Sequence, residues 1–181
     1  MIQTANLITI SRIILIIPIL MFASDQNSTS NWIALILFVM AGISDQLDGY
    51  IARKRGIESS LGALLDLLAD KLLIILSLSY FISFTNNNLL IIPALLIIFR
   101  EIIISSFRQF LTEQEGVNPI KVSIIAKSKT ALQITAVSFL IISPNFGSTF
   151  YSLTTLLFWI AALISLYSLY GYIENYKKFI K

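Results

Sequence analysis

The chain contains no cysteine and no histidine. The first absence excludes disulfides, iron–sulfur clusters and thiolate metal sites in any compartment. The second removes the commonest acid–base side chain and the commonest metal ligand, so any catalysis must draw on carboxylates, Lys, Arg, Tyr or Ser. Charge is scarce too. Asp, Glu, Lys and Arg make up 13% of the 181 residues while 56% are hydrophobic, and the mean hydropathy is +0.83. A soluble domain carries about 25% charged residues, so this composition belongs in a bilayer. The net charge of +3 reads as topology and anionic-lipid contact, and no nucleic-acid partner is expected.

What the chain does have is apolar sequence in runs near the roughly 20 residues that cross a hydrocarbon core. Six are read: Ala5 to Phe22, Trp32 to Ile51, Leu61 to Phe84, Leu89 to Leu111, Ile124 to Ile142 and Phe150 to Tyr172. The polar breaks Ser24 to Asn31, Thr85 to Asn88 and Ser143 to Ser148 leave no room for a second domain. The expectation is therefore an all-α fold, a six-transmembrane-helix bundle forming a single domain over 1–181. The first run has neither a basic n-region nor a small-residue cleavage site and is expected to be retained. Ser152 to Lys181 reads as a helix followed by a basic tail.

All 13 Lys and Arg fall at one alternate set of boundaries: Arg12, then Arg53 to Arg55 with Lys71, then Arg100 to Lys129, then Lys177, Lys178 and Lys181. By the positive-inside rule both termini and the second and fourth loops are cytoplasmic, in an inner or plasma membrane. Lys121 and Lys129 are read as topogenic. Lys71 and Arg100 lie inside apolar runs, where they need local partners or a polar cavity. Trp32, Trp159, Tyr151, Tyr167, Tyr170 and Tyr172 suit an aromatic belt, and Pro18 and Pro93 mark candidate kinks.

The chemistry gathers across the second and third runs. Asp45 and Asp48 stand three apart and Asp66 and Asp70 four apart, so on helices each pair shares one face. A charge at mid-bilayer costs from about 3 kcal/mol upward, and four like charges repel as well. Divalent cations resolve both problems. A donor set of oxygen alone indicates Mg²⁺ or Mn²⁺, and four carboxylates can hold two ions in the manner of phosphoryl-transfer sites. Gly49 and Gly62 remove side chains where a ligand would crowd the helix, Ala52 keeps the same face small, and Arg53 offers a planar fork to a phosphate.

The pattern Asp45-x2-Asp48-Gly49-x2-Ala52-Arg53-x8-Gly62-x3-Asp66-x3-Asp70 resembles, at every fixed position, the signature of the CDP-alcohol phosphotransferases. Chance agreement at a given start is on the order of 10⁻¹⁰ at average residue frequencies. The resemblance implies that a CDP-linked lipid binds with its pyrophosphate at the metal site, that an alcohol attacks the lipid-side phosphorus, and that CMP leaves. It further implies that Asp45, Asp48 and Asp66 are the principal metal ligands, and that Asp70, a fourth ligand, is the general base. Without His or Cys, direct displacement is favoured over a covalent intermediate.

Three further segments, Asn6 to Arg12, Arg100 to Arg108 and Lys127 to Gln133, resemble the branch of that family whose substrates are CDP-diacylglycerol and sn-glycerol 3-phosphate. On this resemblance Arg100, Arg108 and Lys127 hold the acceptor phosphate, while Asn6 and Thr9 contact the nucleotide. Two readings stay open: Arg100 could instead pair with Glu101 or Glu113, and Arg12 could snorkel to lipid headgroups. Leu67 and Ala5 stand where that branch usually has proline, which touches the substrate subgroup and no metal-binding side chain. The rival acceptors are phosphatidylglycerol and inositol phosphate. An intramembrane prenyltransferase and a cation transporter are the remote alternatives. The family resemblance also implies a homodimer among membrane lipids.

Overall fold

Each apolar run forms a helix, and each polar break ends one. In the computed structural model the order is α1 (Thr4–Ser24), α2 (Ser28–Arg55), α3 (Ser60–Phe84), α4 (Asn88–Glu113), α5 (Ile124–Ile142), a short 3₁₀ turn (Ser143–Asn145) and α6 (Ser148–Ile180). The structure describes residues 4–25, 27–55, 60–113 and 124–180; side chains are described for 9–25, 27–44, 65, 68, 69, 71–107, 129–171, 173 and 174. Most of the Glu113 to Pro119 connector, together with Lys121, lies outside the described residues. Among those described there is no strand, so the all-α expectation holds.

The breaks supply the caps. Asn27 Oδ1 accepts the Thr29 N–H at 3.4 Å, and Asn87 Oδ1 accepts that of Leu89 at 3.0 Å. Each asparagine thus takes up a donor that the first helical turn leaves without an intrahelical partner. Pro144 opens the 3₁₀ turn after α5, and the Gly147 carbonyl receives the first amides of α6. One boundary differs from expectation. α6 continues to Ile180, through the stretch read as a tail. Glu174 precedes Lys178 by four residues, the orientation that supports a helix, and no breaker intervenes. α1 and α4 likewise run through Pro18 and Pro93.

The helices close into a ring. α1 packs on α2 and α3, α2 on α5, α5 on α6, α6 on α4, and α4 back on α3, while α3 also reaches α5 across the middle. Unlike that of a soluble bundle, the outer surface is apolar as well as the interior. Ile14, Ile17 and Met21 on α1, Ile33, Ile36 and Met40 on α2, and Leu153, Leu156, Ile160 and Leu163 on α6 all face outward at helical spacing. Inside, Phe38, Phe158, Leu78 and Ile97 pack among small residues such as Ala34, Ala41, Ala136, Ala161 and Ala162. Small interior residues let helix backbones approach where lipid supplies no hydrophobic drive for association. Among the described residues, two helical stretches suffice by length and composition to cross a membrane, Asn88–Phe107 and Ser148–Gly171; Thr9–Ser24, Ser28–Ser44 and Lys71–Phe84 are apolar but shorter.

The α2–α5 contact is close at Gly42, where an added Cβ would lie 3.2 Å from Ile134 Cδ1. An alanine there asks only the flexible end of Ile134 to shift. A leucine overpacks the interface, so Gly42→Leu is expected to destabilise the protein by about 1–3 kcal/mol. Thermal melting followed by fluorescence of Trp32 and Trp159 would show this as a lowered midpoint, with Gly42→Ala near the wild type. An unchanged midpoint in the leucine variant would mean that the two helices can separate freely.

The end opposite the four site acids is tied mostly by neutral groups, with Ser30 Oγ also donating to Asp25 at 3.0 Å. Asn31 Nδ2 donates to Asn145 Oδ1 at 3.0 Å, and the Thr85 and Tyr151 hydroxyls lie 3.2 Å apart. Trp32, Phe146, Phe150 and Phe139 form a chain of ring contacts at the same end. The buried Arg12, Arg100, Glu101 and Lys129 all belong to the other end.

Candidate functional site

The acids are placed by backbone geometry. α2 ends at Arg55 and α3 begins at Ser60, so the two helices leave and re-enter the bundle at one end. At a rise of 1.5 Å per residue, Asp48 lies about 10 Å and Asp45 about 15 Å along α2 from its last residue. Along α3, Asp66 lies about 9 Å and Asp70 about 15 Å from the first residue. The acids therefore match in depth, Asp48 with Asp66 and Asp45 with Asp70. Gly49, Ala52 and Arg53 follow on α2 and Gly62 precedes on α3, all on helical backbone.

The side chains of these eight residues lie outside the described residues, as do those of Asn6, Arg108 and Lys127. Among the described residues, no three of Asp, Glu, His or Cys gather where a metal would bind. The chemistry of the donor set nevertheless fits a hard divalent ion: four carboxylates at two matched depths, in a chain without imidazole or thiolate.

At this end Thr9 and Arg12 are polar and buried. Thr9 is 3% exposed and Arg12, one turn later on α1, only 1%. Arg12 therefore does not snorkel to headgroups; its guanidinium belongs to the interior of the bundle. Arg108 stands about two turns beyond Arg100 on α4, and Lys127 stands in the first turn of α5.

The best-defined feature is a buried cluster centred on Glu101. Its carboxylate receives Lys71 from α3 and Lys129 from α5, together with Arg100 Nη1 at 2.9 Å and Gln133 Nε2 at 3.2 Å. Arg100 Nη2 continues to Ser168 Oγ at 3.1 Å, and Gln133 also donates to Ser165 Oγ at 3.1 Å, which brings in α6. Arg100 and Glu101 are each 4% exposed. Three cations surround one acid, and removing a partner from even a single buried pair costs about 3–5 kcal/mol. Of the two roles left open for Arg100, pairing with Glu101 is the one its terminal nitrogens make; its buried Nε has no partner among the described residues.

Lys129, expected to be topogenic, is also buried at 5% exposure on the acid of another helix. The signal lay in the sequence: Glu101 is the one acid in the run Leu89 to Leu111, and Lys129 with Gln133 forms an i, i+4 polar pair in the first turns of α5. A lone acid in such a run needs partners, and the candidates sit at matching depth.

Comparison with known proteins gives a consistent picture. The family model for CDP-alcohol phosphatidyltransferase matches residues 2–167. A protein of Rickettsia felis named CDP-diacylglycerol--glycerol-3-phosphate 3-phosphatidyltransferase is 37% identical over 176 residues, covering 96% of this chain and 95% of its own length. A protein of the same name from Shigella flexneri is 31% identical over 169 residues, covering 93% of this chain and 92% of its own.

Proposed function

This chain belongs to the CDP-alcohol phosphatidyltransferase family, and from that premise we propose that it is an enzyme transferring a phosphatidyl group from CDP-diacylglycerol to sn-glycerol 3-phosphate. The products are phosphatidylglycerophosphate and CMP. The observation that carries the reaction class is the depth-matched set of four acids on α2 and α3, in the spacing of the family signature. The acceptor follows from the names of relatives that align over nearly the whole chain.

Asp45, Asp48, Asp66 and Asp70 are the residues to hold Mg²⁺ or Mn²⁺, two ions in the full site. Bound there, the metal would supply positive charge to the pyrophosphate and to the departing phosphate of CMP. The remaining work falls to the chain's own side chains. Asp70 takes the proton of the attacking hydroxyl as the acceptor oxygen bonds to the lipid-side phosphorus and the bond from that phosphorus to the CMP oxygen breaks. Gly49, Ala52 and Gly62 leave room for the nucleotide, Arg53 forks onto its phosphate, and Asn6 and Thr9 meet its other groups. Arg108 and Lys127 take the acceptor phosphate. Arg100 adds charge to that region while its terminal nitrogens stay on Glu101 and Ser168.

Family membership and the long apolar helices make this a membrane protein. Our reading extends this to one domain of six spans, with both termini and the acidic end cytoplasmic in the inner or plasma membrane, working as a homodimer. The outward apolar faces of α1, α2, α4 and α6 and the basic residues at alternate boundaries support it.

The test is CMP release by purified protein in detergent with CDP-diacylglycerol and Mg²⁺. Glycerol 3-phosphate, inositol phosphate and phosphatidylglycerol are offered in turn. Turnover with glycerol 3-phosphate alone is expected. Turnover with another acceptor would keep the reaction class and move the substrate, and no release from folded, metal-loaded protein with any of the three would sink the reading.

A further inference from the structure

Apart from the charge that Arg100 lends to the acceptor region, the Glu101 cluster has no part in the mechanism above, yet it sits beside it. Lys71 directly follows Asp70 on α3, and its ammonium is drawn onto an acid of α4 that also holds α5 through Lys129. Consecutive helical residues point about 100° apart, so fixing the direction of one fixes the rotation of the whole turn. A cluster serving stability alone would be matched or bettered by apolar packing. Lys71 and Lys129 both donate to Glu101, so their ammonium groups are engaged between helices although the cluster holds more cations than acids.

We propose that Glu101 is a positioning residue for the carboxylate site. By holding Lys71 against α4 and α5 it sets the depth and rotation of α3 at Asp70, and it keeps the cation nearest to Asp70 in sequence from competing with the metal. Gln133 completes the arrangement by donating to the same carboxylate oxygen as Arg100 and Lys129 and fastening it to Ser165. This inference rests on the carboxylate reading of the proposed function.

Lys71→Met decides it, because it removes the tie to α3 and leaves Glu101 paired with Lys129 and Arg100, so folding is not put at risk as it is in Glu101→Gln. The full chain in detergent is titrated with Mn²⁺ by electron paramagnetic resonance, assayed for CMP release, and melted by tryptophan fluorescence. Loss of an outer partner of a metal site typically costs 10–100-fold in affinity or activity, and about that loss is expected in both Mn²⁺ affinity and kcat, with KM for glycerol 3-phosphate unchanged.

Charge alone predicts the opposite sign, since removing a cation beside an acid tightens metal binding. Glu101→Gln should match or exceed the Lys71→Met loss, Glu101→Asp should recover part of it, and the double variant should be no worse than Glu101→Gln. Mn²⁺ binding that is unchanged or tighter in Lys71→Met with full kcat would overturn the proposal alone, as would losses that simply add in the double variant. A wild type that neither binds Mn²⁺ nor releases CMP would overturn the proposed function, and this inference with it.

Discussion

Asp70→Asn is expected to release CMP about 10²- to 10⁴-fold more slowly than the wild type, the range attributed to a positioned general base. Asparagine keeps the size of the side chain and one oxygen for a ligand, but it cannot take a proton from the attacking hydroxyl. The loss should therefore fall on kcat and persist at saturating Mg²⁺. Asp45→Asn provides the contrast. It weakens metal binding without removing the base, so raising Mg²⁺ should recover a large share of its activity. If excess Mg²⁺ rescued Asp70→Asn equally well, Asp70 would be a ligand only and the base would have to be sought elsewhere.

Exhaustive chelation with EDTA is expected to abolish CMP release, and Mg²⁺ or Mn²⁺ should restore it. Without the ions, two pairs of acids at matched depth repel one another in a medium where a single charge already costs from about 3 kcal/mol upward. The same treatment should therefore lower the thermal midpoint, and metal should raise it by mass action. Restoration that rises more steeply than first order in metal would support two ions. Full turnover after chelation would remove metal from the mechanism altogether, and the four acids would then need another source of neutralisation.

Much of the architecture was legible in the sequence because a membrane chain writes its helices as uninterrupted apolar runs. All six runs became helices, with Asn27 and Asn87 ending the breaks as caps. The end of α6 was missed because Lys177 and Lys178 lower hydropathy without opposing helix formation, so a hydropathy boundary was taken for a helix boundary. The acids were conspicuous by spacing, since charges at i, i+3 and i, i+4 inside apolar sequence have few other uses. The Glu101 cluster was only half legible. The need of Lys71 and Arg100 for partners followed from burial, but which acid met which cation depends on how α3, α4 and α5 pack, and hydropathy carries no record of that. Arg12 was ambiguous for the same reason: a long cationic side chain near a helix end is equally suited to the headgroups and to a polar interior until its neighbours are placed.

The Glu101 cluster also bears on the order in which the chain can be assembled. Its members are synthesised at widely separated times: Lys71 precedes Glu101 by 30 residues, Glu101 precedes Lys129 by 28, and Arg100 waits 68 residues for Ser168. An individual helix can be inserted before it associates with others, but one carrying an unmatched charge is costly to leave alone in lipid. The first three helices therefore make a poor resting state, with Lys71 lacking its acid until α4 arrives and the acid overmatched or underheld until α5 and α6 close around it. Biogenesis should accordingly run as a late, collective closure, and a chain cut short before α6 is better suited to quality control than to partial function.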